Sequence, residues 1–230
     1  GEMTMAQTMR VEAPAIETTD GAAVAESFLA CLANANHQRS PFDYWLLTNP
    51  LPAGDCEAIA GLPIAPPAEV VHNGRRETNN STRIFFTREN QEKFPVVARV
   101  AKGFNDPRVR AAIEKETGTD ISNAHLRIEY CQDAPGFWLE PHTDILVKKF
   151  TMLVYLLDDP ELKTAGTDIH DGPPDFKYVG SAPYGKNLGV IFIPGKNTWH
   201  GVGHHQLTKL RKSIIINFVD ASWRDKWELA

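Results

Sequence analysis

The chain is short of cysteine, of basic charge and of long apolar runs, and each shortage removes a class of protein. Its three cysteines, Cys31, Cys56 and Cys131, are an odd number without CxxC spacing, which argues against both a disulfide framework and a zinc ribbon. Reduced, buried thiols are expected. Lysine and arginine total 24 against 29 aspartates and glutamates, for a formal net charge of -5. No cationic excess exists to neutralise phosphates, so nucleic acid is not an expected partner. Basic clusters at Lys148 and Lys149, and at Lys209, Arg211 and Lys212, are of the size that lies on a solvated face or serves an anionic small molecule. No apolar run approaches the roughly 20 residues of a membrane span, and the N-terminus lacks a basic segment followed by an apolar stretch. The expectation is a soluble, cytoplasmic protein without a membrane partner.

What is present is enough apolar material, 42% of 230 residues, to bury a sizeable core in a single folding unit. Residues 1–20 are polar and read as a flexible N-terminal segment. Residues 21–122 read as a helix-rich support region. Ala22 to Ala35 has apolar residues at helical spacing. Tyr44 to Leu47 reads as a short strand, followed by a helix through Leu62 with Asp55 as its cap. The polar stretch His72 to Thr82 is a long loop. Glu89 to Phe104 and Pro107 to Thr117 show helical periodicity, the second with Asp106 as cap and Pro107 in its first turn. Beyond Asn123 the character changes to short β-branched and aromatic runs, HLRIEYC, FWLEPH, KFTMLVYLL, FKYVG, LGVIFIP and KSIIINFV, separated by Gly, Pro and Asp. Six or more such strands imply a sandwich or barrel over 123–230.

His142 and Asp144 stand two apart beside a strand-like run, so in extended chain both side chains point to one side and can reach one metal ion. A third ligand must come from elsewhere. Two histidines and one carboxylate on one face of an octahedron leave three positions open, as Fe(II) oxygenases require. His170, His200, His204 and His205 are the candidates. The segment Asn197-Thr198-Trp199-His200-Gly201-Val202 favours His200, which begins a strand directly after a turn, and His204 is the reserve.

The runs YCQDAPGFWLEPHTD, FTMLVYLLD, LGVIFIP, TWHGV and Arg211-Lys212-Ser213-Ile214 occur in one order. That order and spacing resembles the prolyl-hydroxylase-like branch of the 2-oxoglutarate and Fe(II)-dependent oxygenase superfamily, over roughly residues 123–220, with a weaker echo from Phe42 to Leu62. The resemblance implies a mainly β fold with flanking helices: a double-stranded β-helix, the cupin-like jelly roll, behind an α-helical N-terminal support layer. It further implies that His142, Asp144 and His200 hold iron. Arg211, about eleven residues beyond the distal histidine, would pair with the far carboxylate of 2-oxoglutarate, a fit for a guanidinium fork. Ser213 points to the same side as Arg211, Tyr130 matches a family tyrosine with the same task, and Tyr155 either lines that pocket or packs.

The implied activity is hydroxylation of an unactivated C–H bond, with 2-oxoglutarate and dioxygen consumed and succinate and carbon dioxide released. Asp144 stands where a small residue would open a halide site, so hydroxylation is favoured over halogenation. The loop from His72 to Arg88 is expected over the iron mouth, with Arg83, Arg127, Asp168 and His170 as substrate contacts. The chain departs from the family at Ala165-Gly166-Thr167-Asp168-Ile169-His170, where relatives often carry a Gly-Gly-Glu turn. A small-molecule substrate is slightly favoured over a peptide, and a monomer and a homodimer are equally compatible. Two other classes stay open at this stage: a cupin-like metal-dependent hydrolase or isomerase, and a non-catalytic metal-binding module.

Overall fold

The computed structural model describes residues 17–68, 72–75, 83–204 and 206–230. Most of the expected flexible N-terminal segment, most of the 72–82 loop and His205 lie outside the described residues.

Helix α1 (Ala22–Ala33) buries Val24, Phe28, Cys31 and Leu32, one stripe at helical spacing. Strands β1 (Asn36–Gln38) and β2 (Tyr44–Thr48) form a hairpin. Helix α2 (Ala53–Ala60) begins at Pro52, and Asp55 is not its cap. Instead Asp55 lies buried in the first turn and accepts two hydrogen bonds from Arg99, from Nε at 3.1 Å and Nη2 at 2.9 Å. A buried carboxylate needs a charge partner more than a helix needs a cap. The single helix expected from Glu89 to Phe104 is two, α3 (Arg88–Lys93) and α4 (Pro95–Phe104). Pro95 forces the break: the residue before a proline is excluded from the helical region, and Phe94 sits at φ -129, ψ 111. Helix α5 (Pro107–Thr117) is as expected. Asp106 caps it by accepting from the Arg108 N–H at 2.8 Å, and Gly118 ends it at φ 76.

The strands β3 (Ile84–Phe85), β4 (His125–Asp133), β5 (Leu139–His142), β6 (Lys148–Tyr155), β7 (Asp168–His170), β8 (Tyr178–Ser181), β9 (Leu188–Phe192), β10 (His200–Val202) and β11 (Arg211–Val219) complete two antiparallel sheets. The larger has the order β1-β2-β9-β6-β11-β4-β3 and the smaller β5-β10-β7-β8. Thus the N-terminal half supplies strands as well as helices: β2 pairs with β9 and β3 with β4.

Pleat alternation on the larger sheet divides its side chains between two cores. Ile128, Met152, Val154, Ile214, Ile216 and Phe218 face the helices and pack with Phe28, Val97, Phe104 and Ile113. Leu153, Tyr155, Val190, Phe192 and Ile215 face the smaller sheet and pack with Ile169 and Val202. On that inner face the register places Arg211 opposite Asp133, Ser213 between Cys131 and Tyr155, Ile215 between Glu129 and Leu153, and Asn217 between Arg127 and Thr151. The inner face is therefore polar at both ends with an apolar belt between.

The smaller sheet brings the two halves of the candidate site together. His200 on β10 pairs directly with His142 on β5 and with Ile169 on β7. The next residue, Gly201, has no room for a side chain, since an added Cβ would lie 2.6 Å from the Leu139 carbonyl oxygen. Gly201→Ala is expected to push β10 away from β5, to destabilise the fold by about 1–3 kcal/mol, and to weaken metal binding as His200 moves off His142. Thermal unfolding with and without added metal reads both effects.

Candidate metal centre

His142 ends β5, Asp144 follows it in the loop, and His200 opens β10. Their ligand atoms lie within 4.8 Å of one another, the one such group among the described residues. Asp144 Oδ1 is 3.8 Å from His142 Nε2 and 3.4 Å from His200 Nε2, and the imidazole centroids are 4.4 Å apart. Both rings are fixed by the same device. His142 Nδ1 lies 2.8 Å from the Glu140 carbonyl and His200 Nδ1 lies 2.8 Å from the Thr198 carbonyl, two residues back in each case. A carbonyl only accepts, so Nδ1 carries the proton and the Nε2 lone pair of each ring is turned toward Asp144, the tautomer a metal ligand needs.

Asp144 is held from its other oxygen. Thr151 Oγ1 donates to Oδ2 at 2.9 Å, and Asn217 Nδ2 donates to Thr151 Oγ1 at 3.0 Å and to the Phe150 carbonyl at 3.1 Å. Arg127 in turn donates to Asn217 Oδ1 at 3.3 Å. Burial alone would push the Asp144 carboxyl up, but the Lys148 ammonium, then His200 and His142, hold it well below the usual carboxylate range. Thr151→Val is expected to release Asp144 Oδ2 and to strand the Asn217 amide, lowering metal affinity roughly 10–100-fold. Metal titration by calorimetry measures it.

Two of the rival histidines, His170 and His204, are elsewhere. His170 Nδ1 is taken by the Phe176 carbonyl at 2.9 Å, and His204 is exposed, its ring 3.7 Å from that of Trp138.

A cavity of about 510 Å³ passes the triad and reaches Arg211. Its middle is the apolar belt of Leu153, Phe192, Val202 and Ile215. At the far end Arg211 is fully buried, and its Nη1 donates to Asp133 Oδ2 at 3.0 Å. Its Nε and Nη2, and the Ser213 Oγ two residues on, are buried without any partner among the described residues. Nε and Nη2 form one edge of the guanidinium plane, the edge that takes a carboxylate two-pronged. Orphaned buried donors are costly and rare, so three on one side of one strand define a place for an anionic group.

Tyr155 and Tyr184 face the guanidinium, with its central carbon 5.5 and 5.9 Å from their ring centroids. The Tyr155 hydroxyl pairs with Thr167 Oγ1 at 2.6 Å and accepts from the Thr167 N–H at 3.0 Å, so Tyr155 forms the wall of this chamber. Burial pushes the Tyr184 phenol up to about 12, keeping it neutral beside Arg211. Tyr130 is a correction. It registers with Ile214, on the opposite face from Arg211 and Ser213, and belongs to the helix-side core. Its position one residue out of phase on β4 decides this, because neighbouring residues on a strand face opposite ways.

Of the expected substrate contacts, Arg83 and Arg127 line the cavity. Asp168 does not: its Oδ1 accepts from Ser181 Oγ at 2.6 Å and its Oδ2 from the Gly203 N–H at 2.8 Å, so it ties β7 to β8 and to the turn after β10. His170 also lies outside the cavity. Sequence reading missed Asp133, Thr151, Asn217 and Trp223, and met Lys148 only as half of a basic pair with Lys149. The first three share the period-two phase of Arg211 and Ser213 across paired strands, but that signal is readable only once register is known.

No family profile and no curated protein matches the chain. Among solved structures it is similar to a prolyl-4-hydroxylase from Pseudomonas putida, at 16% identity over 86% of this chain and 93% of that one, TM-score 0.53. It is likewise similar to a prolyl 4-hydroxylase from Phytophthora capsici, at 15% identity over 90% and 68%, TM-score 0.56. A third likeness is to SnoN, a non-haem alpha-ketoglutarate-dependent epimerase of nogalamycin biosynthesis, at 16% identity over 87% and 84%, TM-score 0.51. Fold and site together define a double-stranded β-helix protein with a two-histidine, one-carboxylate cluster arranged for a metal ion. Within that class, its fold is similar to the fold of two prolyl 4-hydroxylases and of an alpha-ketoglutarate-dependent epimerase.

Proposed function

We propose that the chain is a 2-oxoglutarate- and Fe(II)-dependent dioxygenase that hydroxylates an unactivated C–H bond of a small molecule, with succinate and carbon dioxide as co-products. One observation carries the reading: a triad of two imidazole nitrogens and a carboxylate shares its cavity with Arg211, whose buried Nε–Nη2 edge has no partner among the described residues. A generic metal enzyme has no use for that edge. A dicarboxylate cosubstrate does, since one end can chelate the metal while the other pairs with Arg211 and Ser213.

The donor set fits iron, because His142, Asp144 and His200 supply three ligands and leave the remaining positions for cosubstrate and dioxygen. When bound, iron and 2-oxoglutarate supply the oxidising chemistry, in which the cosubstrate loses carbon dioxide and the two oxygen atoms end in succinate and in the product hydroxyl. The chain's own residues do the rest. Glu140 and Thr198 carbonyls hold the imidazole tautomers, Thr151 and Asn217 hold Asp144, and the apolar belt keeps water from the oxidant. The similar solved structures include both prolyl hydroxylases and an epimerase. Hydroxylation is proposed here because the ligand set is complete and the cavity places substrate-facing groups next to the triad.

The test is succinate release in air. Iron-loaded protein given 2-oxoglutarate alone should form succinate slowly, the release should need Fe(II), and Asp144→Ala should abolish it. Succinate at the level of iron-free protein would contradict the proposal.

A further inference from the structure

At the substrate end of the cavity nearly every charge is paired within the protein. Arg83 and Arg127 both contact Glu129, and Arg127 also donates to Glu228 from Nε at 3.0 Å and Nη2 at 2.8 Å. Arg75 stands 3.6 Å from Glu140. Asp144 is reserved for the metal. That leaves Lys148. It lines the cavity, it is half-buried, and its ammonium has no hydrogen bond and no ion pair among the described residues. Its charge acts on Asp144, whose carboxyl it helps hold low. A divalent ion on Asp144 would take that carboxylate's charge, leaving Lys148 beside a net positive centre in a partly desolvated wall.

A second donor is also unsatisfied. Trp223 lines the same cavity, and its buried indole Nε1–H finds no acceptor among the described residues. Its ring face is occupied by Arg127, 4.8 Å from the centroid, which fixes the plane of the indole. The backbone segments that carry the two donors are tied to each other. The Asp220 N–H donates to the Val147 carbonyl at 2.7 Å and the Trp223 N–H to the Asp220 carbonyl at 2.9 Å, so the turn bearing Trp223 is pinned beside Lys148. Leu139 and the exposed Ile145 supply apolar surface at the same wall.

We infer that Lys148 and Trp223 form a carboxylate-binding subsite and that the substrate is a small organic acid with an apolar body. The inference rests on the proposed oxygenase reading and deepens it. One uncompensated positive charge and one neutral N–H match a monoanion with two acceptor oxygens better than a phosphate dianion. Arg127, both of whose donor edges are engaged, is a wall that holds Trp223, and not the anchor for the acid.

The test uses butanoate, hexanoate and 3-phenylpropanoate, each against its primary amide, with zinc-loaded full chain and saturating 2-oxoglutarate so that the Arg211 end is filled. Calorimetry reads the affinities. At least one acid should bind tenfold or more tightly than its amide. Lys148→Met should bring that pair within twofold, and Trp223→Phe, which keeps the ring and removes the N–H, should weaken the acid several-fold. Neither variant should change 2-oxoglutarate affinity more than twofold. Acids that bind no better than their amides, or that do not bind, overturn the subsite, and so does a Lys148→Met variant that loses 2-oxoglutarate instead of the acid. Acid discrimination without any 2-oxoglutarate binding supports the subsite and sinks the oxygenase reading, so the two failures are distinct.

Discussion

His142→Ala is expected to abolish 2-oxoglutarate turnover and to lower metal affinity well beyond the roughly 10–100-fold that outer-shell changes cost. His142 is the right ligand to remove. Its side chain is 36% exposed, against 8% for His200, and His200 packs on Phe192 with ring centroids 4.4 Å apart. Deleting the buried ring would leave a cavity and mix a folding loss with a ligand loss, whereas deleting the exposed one leaves the fold in place. Metal titration and the thermal unfolding midpoint of the metal-free protein separate the two. The expected pattern is lost binding with an unchanged midpoint, and a variant that still binds metal like the parent would remove His142 from the ligand set.

Arg211 requires the opposite choice of variant. Arg211→Ala would break the buried Arg211–Asp133 ion pair, a loss of about 3–5 kcal/mol that reports stability and not function. Arg211→Lys keeps a charge for Asp133 but removes the planar edge formed by Nε and Nη2. The two-pronged contact with the cosubstrate is then cut to one charge-assisted hydrogen bond, and at about 1.5–3 kcal/mol for the bond lost the 2-oxoglutarate affinity should fall roughly ten- to hundredfold. Metal affinity should not move, because the triad lies beyond the apolar belt. A parallel loss of both would mean that Arg211 supports the whole cavity and does not anchor one end of a ligand.

Much of this site was legible before the fold. His142 and Asp144 follow from a two-residue spacing beside a strand, and His200 from a strand start after a turn, because local geometry fixes which way those side chains point. The helix at Pro107 was equally plain, its cap and proline lying in sequence. Tyr130 shows where such reading stops. Its residue type suits a carboxylate, but which face it occupies depends on the pairing of β4 with β11, a long-range choice that shifts every side chain if it slips by one. Asp55 failed for a related reason. Its helix-cap chemistry is local, whereas Arg99, the partner that claims it, stands 44 residues away. Lys148 shows in the sequence only as half of a basic pair and Trp223 carries no motif; the cavity, and the absence of partners among the described residues, single them out.

The central claim, that one cavity joins an iron site to a carboxylate anchor, is tested most directly without oxygen. Iron-loaded protein titrated anaerobically with 2-oxoglutarate should develop a weak visible charge-transfer band as the cosubstrate chelates Fe(II). The band should be absent in His142→Ala and Asp144→Ala, and in Arg211→Lys it should appear only at roughly ten- to hundredfold higher 2-oxoglutarate. Well-folded, iron-replete protein that shows no band would contradict the account.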